Sequence, residues 1–234
     1  MKKTAIIWMV IIGTIVLMAG CNDKSKLQDT VETAVEAKTD IPIIEEVTIE
    51  KAQINIKYPK IVNLDSDSIA DKWNKIIEDR ITSDLELLAD NDQYNLSYEV
   101  ASNTDEKLSL KLIGSCYYDG AKQPYDFMYT YNISLSTGES IRLCDQTDIN
   151  NVARNIYSNT GFTIEINASE KFKKYILSAF DNEDSLTEML LNFDYCDGGE
   201  QPYGYSYYED DKLYLCIEVP HDLGDYIIIV MDTY

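Results

Sequence analysis

The chain has 234 residues, of which 41 are aspartate or glutamate and 20 are lysine or arginine, and its net charge is −21. This charge excludes the electrostatic attraction on which binding to nucleic acid or to anionic lipid headgroups depends. The apolar fraction of 45% is enough to build a hydrophobic core, so the composition also excludes a disordered stalk.

The first 21 residues have the layout of a secretory signal. A basic start at Lys2 and Lys3 precedes an apolar run over residues 5–18. The small pair Ala19-Gly20 followed by Cys21 resembles the lipobox of bacterial lipoproteins. This resemblance implies that residues 1–20 are a lipoprotein signal peptide, that Cys21 carries lipid such as palmitate, and that the protein lies on the extracytoplasmic face of the cell membrane. The alternatives are an ordinary cleaved signal, or a single membrane span with a chance cysteine.

Cleavage after residue 20 would remove two lysines and leave a charge of −23. Lipid, and not a basic patch, would then have to hold the protein at the membrane, and a cationic partner would be attracted to it. The alternative interpretation of the charge is solubility alone. Residues 21–46 are expected to be the lipidated cysteine and a flexible tether, because residues 22–44 are polar and weakly patterned. Residues 47–234 are expected to fold, in subregions of about 47–140 and 141–234.

In the first subregion, alternating apolar residues predict strands and one stretch has helical spacing. The helix is expected to begin at Asp65 or Ser66 and to bury Trp73 on its apolar face. Residues 136–139 predict a turn into a return strand over residues 141–143. The other strand patterns lie at residues 54–58, 94–100, 108–112 and 127–135.

In the second subregion, helical and strand patterns mix again. Residues 149–156 predict a short helix that Gly161 ends, and Ser185 followed by Glu188 has the spacing of a capping box before a further helix. No strand–helix–strand rhythm is present, so we expect an α+β fold with a largely antiparallel sheet and helices packed on it. Two strand patterns close the chain, at residues 213–219 and 227–230.

One segment of the chain is repeated. Residues 119–129 align without gaps to residues 197–207, and six of the eleven positions are identical. Each copy has an Asp-Gly turn, then Gln-Pro-Tyr, then an aromatic strand. Tyrosine presents a large face and a hydroxyl at low entropy cost, so we expect the two copies to form a binding rim. The alternative is that both are strand-entry turns with the same local chemistry. The predicted rim residues are Gln123, Pro124, Tyr125, Gln201, Pro202 and Tyr203.

Several of these turns and strands resemble a known extracytoplasmic domain. The matching segments are residues 115–124, the hairpin segment 131–139, residues 141–143 and the closing part 212–226. They resemble the domain shared by RsiV-type anti-sigma factors and the N-terminal part of PdaC-type peptidoglycan deacetylases. Two positions depart from that family's pattern: Gln123 stands where histidine is usual before the proline, and Ser134 stands where the hairpin usually has aspartate.

The resemblance covers roughly residues 47–234 and implies an α+β fold and an envelope role. In RsiV-like proteins this domain is a receptor for lysozyme. We therefore expect a non-catalytic binding or sensing module whose partner is a lysozyme-like cationic protein or cell-wall peptidoglycan. No nucleic-acid partner is expected.

The sequence carries no recognisable catalytic or cofactor motif. His221 is the only histidine, which rules out a histidine-rich zinc site, and no Gly-x-Ser-x-Gly elbow accompanies it. We expect a protein that is not an enzyme and that needs no cofactor or metal, although weak calcium binding by acidic clusters is left open. The alternative is a cell-wall glycan hydrolase with an unrecognised pair of carboxylates.

Four cysteines follow Cys21 in the chain. Export would permit disulfides, and four cysteines allow three pairings, which the sequence does not distinguish. Two of the four lie in apolar, strand-like runs and are alternatively simple buried side chains. The four are Cys116, Cys144, Cys196 and Cys216, of which Cys144 and Cys216 lie in such runs.

Overall fold

The computed structural model describes residues 41–64, 67–164, 169–197, 201–210 and 212–232. The signal segment, Cys21 and the helix cap expected at Asp65 or Ser66 lie outside the described residues. The described part contains two β-sheets with helices packed on them, which confirms the expected α+β class. Within that part, no helix is both long enough and apolar enough to cross a membrane.

The first sheet has five strands in the order β1-β2-β3-β4-β5. Its neighbouring strands run antiparallel, except β2 and β3, which are parallel over three residue pairs and are joined by helix α1. A parallel pair needs such a crossover, because the chain has to return to the same end of the sheet. The elements are β1 (Ile43–Lys51), β2 (Ile54–Val62), α1 (Asp67–Glu86), β3 (Gln93–Asn103), β4 (Lys107–Tyr117) and β5 (Tyr125–Ser134).

Helix α1 packs on this sheet through the apolar face that its sequence predicts. Trp73 has no exposed surface, and its indole Nε1 donates a 3.0 Å hydrogen bond to the carbonyl oxygen of Gly138. Its ring meets those of Tyr131 and Tyr195 edge-on, with centroids 5.9 and 5.7 Å away. Tyr195 belongs to the second half of the chain, so this helix stabilises both halves.

The second sheet has four antiparallel strands in the order β6-β9-β8-β7. Its apolar face packs against helices α2 to α5 in a separate core that contains the fully buried Phe172 and Phe193. The elements are α2 (Leu143–Gln146), α3 (Ile149–Ser158), β6 (Phe162–Ile164), α4 (Ser169–Ala179), α5 (Glu183–Leu191), β7 (Gly204–Glu209), β8 (Lys212–Glu218) and β9 (Tyr226–Met231).

The two sheets meet through a small apolar cluster around Met128, Tyr207 and Cys216 and through polar side chains. The Thr130 hydroxyl and the Asn132 amide both donate to the carbonyl oxygen of Ser206 on β7, at 2.7 and 2.8 Å. The side chain of Lys111 is almost fully buried, and its ammonium group contacts Glu99 of its own sheet at 2.7 Å and Glu209 of the other at 3.3 Å. Buried polar groups cost free energy unless they are paired, so these contacts fix one arrangement of the sheets.

The fold differs from expectation at two places in the first half. Strand β1 begins at Ile43, so residues 43–46 are part of a strand and not of the tether. The expected return strand at residues 141–143 reduces to one bridge, between Ile133 and Ser140, and helix α2 begins at Leu143. The reason is that the backbone N–H of Leu143 donates to the carboxylate of Asp194 at 2.7 Å, which draws the chain away from β5.

Two helix ends in the second half also differ from expectation. Helix α3 ends at Ser158 and is capped by Asn159, which adopts the left-handed conformation, and Gly161 lies beyond the cap. Helix α5 begins one turn earlier than the expected capping box, because Asn182 caps it and Ser185 returns the reciprocal hydrogen bond. Cys144 lies in α2 and not in a strand, whereas Cys216 is buried in β8. The four cysteines of the described residues are free thiols.

Candidate functional site

One cavity of about 340 Å³ lies where α1, β5, β8 and the segment 201–205 converge, and we call it the tyrosine cavity. Its walls combine aromatic rings with carboxylates and one guanidinium group. Both repeated segments contribute to it, through Tyr125 and through residues 201–205. The tyrosines that line it are Tyr94, Tyr118, Tyr125, Tyr129, Tyr203, Tyr205 and Tyr226.

One end of the cavity is a hydrogen-bonded network on helix α1. Arg80 and Asp84 are one turn apart and form a 3.0 Å ion pair. The Arg80 guanidinium also donates to the hydroxyl of Tyr129 at 2.7 Å and stacks over that ring at 4.2 Å. The hydroxyls of Tyr94 and Tyr129 donate to Asp84 at 2.8 and 3.1 Å. Burial raises the pKa of both tyrosines, so both hydroxyls keep their protons.

The opposite end of the cavity is acidic. The Tyr125 hydroxyl donates to Glu218 at 3.5 Å, and burial, followed by the nearby carboxylates, raises the pKa of Tyr125 to about 12. The buried Asp225 accepts a 2.9 Å hydrogen bond from the backbone N–H of Asp126, and its other oxygen lies 2.6 Å from Nδ1 of His221. Burial and the charge of Asp225 raise the pKa of Asp126. This end therefore holds three carboxylates, and the one arginine among the described residues that line the cavity, Arg80, belongs to the network on α1.

A buried carboxylate holds the first repeated segment in place. One oxygen of Asp92 accepts a 2.7 Å hydrogen bond from the backbone N–H of Asp119, and the other accepts from Ala89 at 2.9 Å. The hydroxyl of Tyr117 donates to the carbonyl oxygen of Ala121 at 2.7 Å. Gly120 completes the turn with a φ of 82°, a conformation that glycine adopts without strain. These contacts fix the turn before β5, so that the strand begins with Tyr125 at the cavity.

A second buried carboxylate holds the other repeated segment. Asp194 accepts from the backbone N–H and the hydroxyl of Ser206 at 2.6 and 2.7 Å, as well as from Leu143. Burial outweighs these hydrogen bonds and raises the pKa of Asp194 to about 7. Gly204 lies so close to Phe193 that a Cβ atom there would be 2.2 Å from the ring. Only glycine lets the chain pass between that ring and the cavity.

The predicted rim residues divide into two groups. Tyr125 and the three residues Gln201, Pro202 and Tyr203 line the tyrosine cavity, and Tyr203 is 62% exposed. Gln123 and Pro124 are exposed but do not line it. Both copies of the repeat therefore reach the same cavity, the second with all three residues of its Gln-Pro-Tyr and the first with its tyrosine alone. The binding role of all six residues stays a prediction.

Sequence reasoning missed the α1 network. The sequence did carry one signal for it, because Arg80 and Asp84 have the i, i+4 spacing of an ion pair on a helix. It missed the acidic end too, because Glu218 lies 93 residues beyond Tyr125 and Asp225 lies 99 residues beyond Asp126, and both reach the cavity only through the packing of the two sheets.

The chemistry of the cavity favours binding. Tyrosine faces and hydroxyls suit sugars or cationic side chains, and the carboxylates suit amines or hydroxyl groups. Asp84 and Asp225 are already engaged by protein donors. Among the described residues, no group of three or more histidine, cysteine or acidic side chains is placed to hold a metal ion.

Comparison with known proteins finds similar solved structures but no sequence match. No family model and no curated protein matches the sequence. Among solved structures, a DUF3298 family member from Bacteroides fragilis has a TM-score of 0.46 and 9% identity, over 83% of this chain and 91% of that one. A DUF3298 family protein from Pseudomonas aeruginosa has a TM-score of 0.36 and 11% identity, over 82% and 96%. Both TM-scores are below 0.5, so these likenesses carry no inference about activity or partners.

Proposed function

We propose that this chain is a lipid-anchored lipoprotein on the extracytoplasmic face of the cell membrane and acts there as a non-catalytic binding or sensing module. The observation that carries the proposal is the tyrosine cavity, to which both repeated Gln-Pro-Tyr segments contribute side chains. Exposed aromatic side chains that cluster in one patch often mark an interaction site, and here Tyr118, Tyr125 and Tyr203 are all exposed around one opening.

Two kinds of partner fit the proposal. One is a cationic protein such as lysozyme, which the net charge would attract over a distance of about 8 Å at physiological salt. The other is a peptidoglycan fragment, whose sugar rings would stack on tyrosine faces. The resemblance to RsiV-type and PdaC-type domains motivates both candidates, and the cavity provides the surface on which they would compete.

A cell-wall glycan hydrolase is the second candidate, and the Asp126–Asp225 pair is the observation that favours it. A raised pKa on one carboxyl beside a second carboxylate is the arrangement that glycoside cleavage uses. Against it, Asp225 is buried and its two oxygens are engaged by Asp126 and His221, which leaves it poorly placed to attack a substrate. We therefore rank binding first.

The experiment compares the binding of lysozyme and of soluble peptidoglycan fragments to the full chain, in mild detergent at about 0.15 M salt or above. A specific rim predicts that the double variant Tyr125→Ala/Tyr203→Ala binds at least tenfold more weakly, which is about 1.4 kcal/mol. The matched double variant with phenylalanine keeps both ring faces and should retain most of the affinity.

Binding that disappears with salt and ignores both tyrosines would contradict a specific site. The same samples are assayed for release of reducing sugar from cell walls. Release by the wild-type chain that Asp126→Asn abolishes would favour the hydrolase instead.

A further inference from the structure

The tyrosine cavity is the middle one of three cavities that share walls. A groove of about 680 Å³ lies between helices α4 and α5 and the end of β8, and we call it the α4–α5 groove. Tyr203 and Glu218 line both this groove and the tyrosine cavity. On the other side, a cavity of about 250 Å³ beside α1 shares Gln201 and Pro202 with the tyrosine cavity. The segment 201–205 therefore borders all three, and together they form one elongated surface.

Carboxylates that lack a basic partner line two of these cavities. Asp126 lies in the tyrosine cavity, Glu188 in the α4–α5 groove and Glu218 in both. None of these three has an ion pair with a lysine, arginine or histidine among the described residues. Among the described residues, Arg80 is the only lysine or arginine that lines any of the three cavities, and it is paired with Asp84.

The protein already pairs its own cations with tyrosine faces. Lys107 lies 4.7 Å above the ring of Tyr208, Lys111 lies 4.8 Å above Tyr207, and Arg80 lies over Tyr129. Such contacts are stronger where water is excluded. The exposed ring of Tyr203, beside the carboxylate of Glu218, offers the same pairing to a cation from outside at the junction of the two cavities.

We propose that this elongated surface binds an extended peptide segment rich in lysine or arginine, from a partner protein. The inference rests on the proposed binding function and adds the chemical class and shape of the ligand. An extended chain fits because a single compact group could occupy one cavity only, whereas successive side chains of a strand-like segment reach separate cavities. Basic side chains fit because each would meet a carboxylate that has no basic partner and a tyrosine face.

The test is fluorescence anisotropy with a labelled eight-residue lysine–alanine peptide, the full chain in mild detergent, and salt at about 0.15 M and 0.5 M. The isosteric variants Asp126→Asn and Glu188→Gln each remove one charge from a different cavity. Each should weaken binding by roughly threefold, the effect of a partly exposed ion pair. Tyr203→Ala at the junction should weaken it by roughly two- to fivefold, the effect of an exposed cation–π contact, while Tyr203→Phe keeps the ring face and the affinity. The control Glu50→Gln removes one exposed charge from β1, outside the cavities, and should leave binding unchanged.

An equal loss for Glu50→Gln would show generic attraction and overturn the inference. An effect of Asp126→Asn without an effect of Glu188→Gln would confine the ligand to one cavity and overturn the extended form. Soluble peptidoglycan fragments are titrated beside the peptide. If they bind and depend on Tyr203 while the peptide does not bind, the inference fails and the proposed binding function stands. If neither binds, both fail.

Discussion

Replacement of Trp73 by alanine tests how the two halves of the domain support each other. Trp73 is fully buried, and it contacts Tyr131 of the first sheet and Tyr195 of the segment that leads to the second repeat. Removal of a side chain of this size from a packed core costs about 3–5 kcal/mol. The change also leaves the Gly138 carbonyl without its indole donor, which adds about 1 kcal/mol when that carbonyl stays dry.

The variant Trp73→Phe separates the two contributions. It retains an aromatic ring against Tyr131 and Tyr195 but cannot donate to Gly138, so it should cost roughly 1–2 kcal/mol. Urea unfolding followed by circular dichroism gives both free energies, and an unchanged dependence on urea would show that the same surface unfolds in each variant.

A loss below about 1 kcal/mol for Trp73→Ala would refute the described packing of α1. A biphasic transition, in which the variant loses only part of its ellipticity in a first step, would refute the idea that Trp73 couples the two halves through Tyr195.

Three further results are expected. Burial raises the pKa of Asp194 to about 7, from an ordinary value near 4, so protonation of Asp194 should stabilise the fold fully below about pH 4, and this stabilisation should be lost as the pH rises through about 7. Asp194→Asn should flatten the pH dependence of the unfolding free energy in urea melts, and equal slopes for both proteins would contradict the prediction. Gly204→Ala should destabilise the fold by about 1–3 kcal/mol, since the added Cβ meets the fully buried Phe193 ring, and an unchanged urea midpoint would show that the ring moves aside easily. Cys21→Ser should release the chain from membranes or leave it unprocessed in cell fractionation, and membrane attachment after cleavage at the same site would disprove the lipid anchor.

Local chemistry made much of the fold predictable. The apolar face around Trp73 predicted helix α1, and the alternation of apolar residues predicted β5, because burial on one face imposes a period on the sequence. Strand β1 was missed because it is an edge strand with exposed glutamates, and such strands show little apolar alternation. The start of α5 was misplaced because Asn182 and Ser185 both have the chemistry of a cap, and only the backbone conformation decides which of them is used.

The site was predictable only where one segment specifies it. The two Gln-Pro-Tyr segments have the same turn chemistry, yet Gln201 and Pro202 line the cavity while Gln123 and Pro124 do not. The difference arises from the packing of one sheet on the other, which no local pattern records. The acidic end at Glu218 and Asp225 depends on the same packing.

The polar contact between the sheets has a consequence for how this domain can be recombined. Lys111 of the first sheet forms an ion pair with Glu209 of the second. Thr130 and Asn132 likewise depend on one carbonyl oxygen at Ser206. Either half without the other would lose these contacts between the sheets, although Lys111 would keep its pairing with Glu99, so one half expressed alone should be less stable than the whole domain. The two halves are therefore expected to move between proteins only as a pair, and fusions or circular permutations should keep both.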